Sequence, residues 1–171
     1  TRSYRQAIDL AVSGHSVIFE AKQIEEMELT FSRGFSPGWL KGCDHKMLVP
    51  GTSSAKRGVL IGQVCGISKD AIAVELNASV KRGDGVAFDT SADAATQGAR
   101  VYEVFHQGCS LTGSVNHGVV ELTFGQNAID FDQIEIGSRI WKTDDPKVTK
   151  RLRKSFQTNN LQRQQRGPEI T

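Results

Sequence analysis

Residues 71–88 have the sequence AIAVELNASVKRGDGVAF, and this stretch decides the fold. Ile72, Val74 and Leu76 alternate with small or polar residues, which is the period-two pattern of a strand with one buried face. A Gly-Asp-Gly turn at 83–85 follows, and another apolar run leads out of it. The stretch therefore predicts two strands joined by a connection that ends in a glycine-dependent turn.

A weak internal echo of this stretch occurs near the C-terminus, where GVVELTF is followed by IEIGSRIWK. Val80 and Ile134 occupy equivalent places in the two halves, as do Gly83 and Gly137. Two three-stranded halves that close on each other leave no exposed sheet edge, so the pattern predicts a six-stranded barrel. The predicted strands are Arg57–Cys65, Ala71–Leu76, Gly85–Asp89, Arg100–His106, Gly118–Phe124 and Ser138–Lys142.

Helical patterns flank the barrel on both sides. Apolar residues spaced by three and four predict one helix over residues 3–12, and a shorter one is expected over Glu20–Met27. After Pro146, the spacing in Lys147–Phe156 predicts a C-terminal helix. The predicted fold class is mainly β with flanking helices (α+β).

We divide the chain into five parts by these patterns. They are an N-terminal helical segment (1–29), a Gly/Pro-rich loop region (30–58), the β-barrel (59–145), the C-terminal helix (146–158) and a disordered tail (159–171). The chain opens at Thr1 within a helical pattern and without an initiator Met, so we expect a piece of a larger protein.

The loop region is both basic and aromatic. A loop of this length inside a compact domain is typically functional, and this composition suits base stacking and phosphate binding. The alternative is that its aromatic residues pack the loop onto its own domain. The candidate substrate-binding or interdomain residues are Phe31, Ser32, Arg33, Phe35, Lys56 and Arg57.

Charge is distributed unevenly along the chain. The net charge is only +2, but the segment from Lys142 onward carries +5 and the remainder −3. A basic segment of this kind can follow phosphate groups, or it can simply be the solvated face of a helix.

The sequence predicts no catalytic residue and no metal ligand. It lacks the phosphate-loop, nucleophile-elbow, HExxH and CxxC motifs. The cluster Cys43-Asp44-His45 has no third group to orient it, and Asp84 is expected to cap its turn rather than to catalyse.

The number and spacing of the cysteines indicate the cellular compartment of the protein. Cys43, Cys65 and Cys109 are odd in number and widely spaced, which argues against a disulfide framework and favours the cytoplasm. We expect all three to be buried as small apolar residues.

Three short motifs carry a resemblance to a known family. TFSRGFSPG (30–38), LVPG (48–51) and SAKRGV (54–59), in that order, resemble the collagenase-like peptidase family, number thirty-two among the peptidases of unknown catalytic type. The resemblance continues through YRQAID (4–9), KRGDGV (81–86) and IGSRIWKTDDP (136–146), up to about Leu152.

The resemblance implies an accessory domain C-terminal to a catalytic region, with a barrel like the second domain of translation elongation factors. It also implies a parent enzyme that is either a peptidase or an oxygen-independent hydroxylase acting on ribosomal RNA, transfer RNA or quinone precursors. The iron–sulfur cluster of such hydroxylases is held by four cysteines of the catalytic domain. The three cysteines of this chain do not match that signature, so no cofactor is predicted for this segment.

Three hypotheses for the chain follow. It engages RNA for a hydroxylase-type parent, it holds collagen-like or unfolded polypeptide for a true protease, or its loop docks onto the catalytic domain of the same chain. No membrane partner is expected.

Overall fold

The computed structural model describes residues 2–31, 42, 58–89 and 97–157. Helices α1 (Arg2–Val12) and α2 (Ala21–Phe31) precede the strands, and α3 (Pro146–Gln157) follows them. The strands are β1 (Val59–Ile67), β2 (Ala71–Leu76), β3 (Gly85–Phe88), β4 (Gln97–His106), β5 (Cys109–Ser110), β6 (Gly118–Phe124) and β7 (Arg139–Asp144).

Six of the strands form a closed antiparallel barrel. Their hydrogen-bonded order is β3-β7-β1-β2-β6-β4, and pairing of β3 with β4 closes the ring. The two-residue β5 pairs with the far end of β4 and lies outside the ring. The predicted fold class and the six-stranded barrel are therefore confirmed.

The barrel interior is filled by aliphatic side chains, as the alternating pattern of the strands requires. Phe88 and Phe124 meet edge to face, with ring centroids 5.8 Å apart. The buried apolar residues of the barrel are Ile61, Val64, Ile72, Val74, Leu76, Val80, Val86, Phe88, Val101, Val104, Val120, Leu122, Ile129, Ile134 and Ile140.

The internal echo in the sequence corresponds to a repeated backbone geometry. Gly83 and Gly137 both have positive φ, at +88° and +93°, where a side chain is disfavoured. The N–H of Gly83 donates to Val101 O, and that of Gly137 donates to Val64 O, each over 2.8 Å. The equivalence of the two turns, predicted from a short match, holds at the level of individual hydrogen bonds.

Strand β4 departs from the simple alternation expected of it. Val101 and Val104 are both buried although they are three residues apart. The pairing register with β6 shifts between Val101 and Glu103, which inserts one extra residue at Tyr102. The bulge explains how two residues that are three apart on one strand can both face the core.

Two further differences concern the helix and cysteine predictions. Helix α2 continues to Phe31, four residues beyond the predicted end at Met27. The prediction that the cysteines are buried is wrong for Cys65 and Cys109, which are exposed free thiols, whereas Cys43 lies outside the described residues. Cys65 is on the outward face of β1, and Cys109 belongs to β5 outside the ring.

None of the helices in the described part of the chain has the length and hydropathy needed to cross a bilayer.

We expect Gly62→Ala to destabilise the barrel. A Cβ at this position would lie 2.2 Å from the backbone oxygen of Glu75 on β2 and 3.0 Å from Val74 Cγ1. Overpacking of this kind costs about 1–3 kcal/mol in the free energy of unfolding, which urea denaturation measures. Gly113→Ala is the control, because a Cβ there meets nothing within 4 Å. Equal stability of the two variants would contradict the tight β1–β2 approach.

Candidate nucleic-acid interface

The loop residues predicted from the sequence fall mostly outside the described residues. This holds for Ser32, Arg33, Phe35, Lys56 and Arg57, and also for the cluster at Cys43, Asp44 and His45. Phe31 is described only as the last residue of α2. The structure instead brings charged residues together at the rim of the barrel where α2 and α3 meet.

Lys81 joins the barrel to the start of α3. Its ammonium group lies 3.1 Å from Asp84 Oδ1 and also donates a hydrogen bond to Asp145 Oδ2. Asp84 is fully buried, and its Oδ2 accepts the backbone N–H of Lys81 at 3.1 Å. The predicted role of Asp84 as a turn cap is thus confirmed, and the same carboxylate anchors the lysine.

The folded structure shifts the pKa values of the two carboxylates of this cluster in opposite directions. Burial raises the pKa of Asp84 above its ordinary value, and the attraction of Lys81 offsets only part of the rise. Burial also acts to raise the pKa of Asp145, but the hydrogen bond and charge of Lys81 outweigh it and lower that pKa below its ordinary value. Asp145 is therefore the more readily ionised member of the cluster.

Asp145 also begins α3. Its Oδ1 accepts the backbone N–H of Lys147 at 2.8 Å and that of Val148 at 3.3 Å. These bonds satisfy amides that have no partner within the helix, and the negative charge suits the positive end of the helix dipole. Pro146 follows in the first turn, where its missing N–H costs nothing. The direction in which α3 leaves the barrel is set by this cap.

A buried lysine holds α2 against the barrel. Lys142 on β7 is only 1% exposed. Its ammonium group donates to Glu25 Oε1 at 2.6 Å and to the backbone oxygen and hydroxyl of Ser79 at 2.9 and 3.2 Å. All three donors of the ammonium group have acceptors, which is the condition under which a buried charge is tolerated.

Helices α2 and α3 also contact each other directly. Arg151 Nη2 lies 2.5 Å from Glu26 Oε2. Leu29, Val148 and Leu152 line a small cleft between the two helices. One face of α3 is therefore used for packing against α2, and Arg153 borders this cleft.

Three cations of α3 line a groove between this helix and the barrel rim. The groove has a volume of about 750 Å³. Lys150, Arg153 and Lys154 lie on one face of α3 because residues three and four apart are neighbours on a helix. Helix α3 has no acidic residue from Pro146 to Gln157. The groove is lined by Arg100, Thr143, Asp144, Pro146, Thr149, Lys150, Arg153 and Lys154.

The carboxylate within the groove is engaged by its neighbours. Arg100 Nη2 donates to Asp144 Oδ2 at 2.8 Å, and Thr149 Oγ1 donates to Asp144 Oδ1 at 2.7 Å. Arg100 Nη1 also donates to the backbone oxygen of Gly83 at 2.9 Å, which fixes the guanidinium group. The groove keeps an excess of positive charge, with four cationic side chains against one carboxylate.

Sequence reasoning found the basic helix but missed the other wall of the groove. The charge imbalance from Lys142 onward pointed to α3. No local sequence pattern indicated a role for Arg100, because its partners Gly83 and Asp144 are 17 and 44 residues away in the chain. Within the described ranges, no three His, Cys, Asp or Glu side chains gather as a metal site.

Comparisons with known proteins yield structural neighbours alone. No family model matches the chain, and no curated protein matches it. The crystal structure of the C-terminal domain of a Geobacillus thermoleovorans "putative U32 peptidase" is 14% identical, with a TM-score of 0.41. The match covers 50% of this chain and 93% of that one.

The selenomethionine variant of the same domain gives 15% identity and a TM-score of 0.40, over 48% of this chain and 98% of that one. Likenesses of this size transfer no residue role to the chain.

The Lys142–Glu25 pair predicts an asymmetric response to mutation. Glu25→Ala leaves a buried ammonium group without its counter-charge, so we expect a loss of about 3 kcal/mol in the free energy of unfolding. Lys142→Met should cost less, because Met fills the space and Glu25 is already 30% exposed to water. Urea denaturation of both single variants and the double variant measures the coupling.

Asp9→Ala is the control for this pair. It removes the exposed Arg5–Asp9 pair of α1, which is expected to contribute at most about 0.5 kcal/mol. A Glu25→Ala variant as stable as Asp9→Ala would contradict the account.

Asp145→Asn tests the ionised cap. Because folding lowers the pKa of Asp145, its charge stabilises the fold above its unfolded pKa of about 3.9 and stops doing so as pH falls through the lower folded pKa. Asn keeps the capping oxygen but not the charge. We therefore expect the variant to be less stable than the parent at pH 7 and the difference to shrink below about pH 4.

The measurement is the urea midpoint at several pH values. Asp70→Asn, at an exposed turn, is the control for a change of charge. A stability difference that is constant with pH would contradict the role of the charge.

Proposed function

We propose that this chain is a non-catalytic accessory domain of a collagenase-like peptidase-family enzyme and that it binds RNA for that enzyme. The family part of the proposal is supported by the motifs TFSRGFSPG, LVPG and SAKRGV in the sequence. The RNA part is supported by one observation, the groove in which α3 sets three cations beside Arg100.

The groove suits a polyanion for physical reasons. Its cations are spread along about one turn of helix and the neighbouring rim, as the contact of several successive phosphates requires. The Asp145 cap and the Arg151–Glu26 pair hold α3 in place before any ligand arrives, so little ordering is needed on binding. Arg33, Lys56 and Arg57 of the loop are predicted to add further cations.

The same chain has a surface suited to a domain partner. Tyr4, Ile8 and Val12 of α1 recur every four residues and are exposed. We assign this stripe to contact with the catalytic domain of the parent chain, which would carry any iron–sulfur cluster. The cytoplasmic location predicted from the cysteines remains a prediction.

RNA binding is tested by titrating fluorescent structured RNA with the 171-residue chain at low and moderate salt. We expect binding that weakens steeply with salt, because each phosphate contact releases a counterion. A gelatin-derived peptide, titrated under the same conditions, should not bind. Preference for the gelatin peptide would support the protease hypothesis instead.

The groove is tested with Lys150→Gln/Arg153→Gln. We expect weaker RNA binding and a salt slope reduced by about 1–2, since two phosphate contacts are lost. Lys22→Gln/Lys69→Gln is the matched control, because it changes the net charge equally at exposed positions outside the groove. Equal affinities of the two double variants would exclude the groove as the RNA site.

A further inference from the structure

An exposed aromatic residue of β4 follows Arg100, which lines the basic groove, by two residues. Tyr102 is the extra residue of the β4 bulge, and it is 58% exposed although it belongs to a barrel strand. The buried residues on either side of it, Val101 and Val104, point into the core. Because Val101 points into the core, its neighbour Tyr102 faces outward, where it adds nothing to the core.

Arg82 holds this ring in place. Its guanidinium carbon lies 5.3 Å from the centroid of the Tyr102 ring, in cation–π contact. Arg82 Nη1 also lies 3.8 Å from Glu103 Oε1, the residue next to the tyrosine. A ring restrained in this way loses little conformational freedom when a planar ligand stacks on it.

The ring and the groove are connected through one turn. Gly83, the neighbour of Arg82, accepts the hydrogen bond of Arg100, and Arg100 lines the groove. Tyr102 follows Arg100 by two residues on the same strand, and both side chains are exposed. If the phosphates of an RNA strand bind along α3 as far as Arg100, the next base of that strand would therefore lie at Tyr102.

We propose that Tyr102, restrained by Arg82, is a base-stacking platform at the end of the groove, so that the RNA bound is single-stranded. This inference rests on the proposed function. Stacking on an aromatic side chain requires a base that is not already stacked in a duplex. A cationic track that ends in an aromatic ring is the usual arrangement for single strands with little sequence preference.

The test compares Tyr102→Ala and Tyr102→Leu with Tyr102→Phe. Their ligands are an unstructured oligouridine, a duplex RNA of the same length, and an abasic ribose-phosphate oligomer. Loss of the ring should weaken oligouridine binding about 5- to 150-fold at unchanged salt slope, whereas Phe should bind like Tyr. No variant should change the affinity for the abasic oligomer.

Tyr4→Ala, at an exposed tyrosine of α1, is the matched control and should bind oligouridine like the parent chain. The inference is overturned if Tyr102→Leu binds oligouridine as tightly as the parent chain, or if duplex RNA binds as tightly as the single strand. If Lys150→Gln/Arg153→Gln weakens binding in the same assay, the proposed function survives that outcome. If the parent chain binds none of the three ligands, the proposed function itself fails.

Discussion

The contact of one ammonium group with two carboxylates joins the barrel to α3. Lys81 pairs with Asp84 in the turn before β3 and with Asp145 at the start of α3. Without Lys81, Asp84 would be a buried charge with no counter-charge in the turn, and Asp145 would lose the neighbour that contributes most to lowering its pKa. The turn, the direction of α3 and hence the position of the groove cations all depend on this contact.

The barrel makes this arrangement rigid. Its strands close through β3–β4 pairing, so the turn at Gly83 has a fixed position relative to β4 and β7. Arg100 and Asp144 then meet across the rim, and the Lys142–Glu25 contact places α2 behind α3. Most of the cationic side chains of the groove stand on α3 and β4 rather than on loops, which would limit the entropy lost if a ligand binds there.

The sequence was sufficient where the signal was local. The bounds of β2 and β6 agree with the prediction because their alternation is a property of each strand alone. Features that depend on distant partners were missed. The bulge in β4 is defined by its pairing with β6. The burial of Lys142 depends on Glu25, which is 117 residues away in the chain and accepts its hydrogen bond. The two-residue β5 has too few residues for any periodicity. The C-terminal helix was predicted from the spacing of its apolar residues and its basic character from the charge distribution, but the roles of Arg100 and Tyr102 depend on partners that only the closed barrel brings near them.

The central claim is that α3 and the neighbouring part of β4 form an RNA surface. Photo-crosslinking of the chain to a single-stranded RNA containing 4-thiouridine, followed by peptide mapping, tests it without any mutation. The account predicts crosslinked peptides from Gln97–His106 and Pro146–Gln157. Crosslinks confined to α1 and to the strands away from this rim would contradict it.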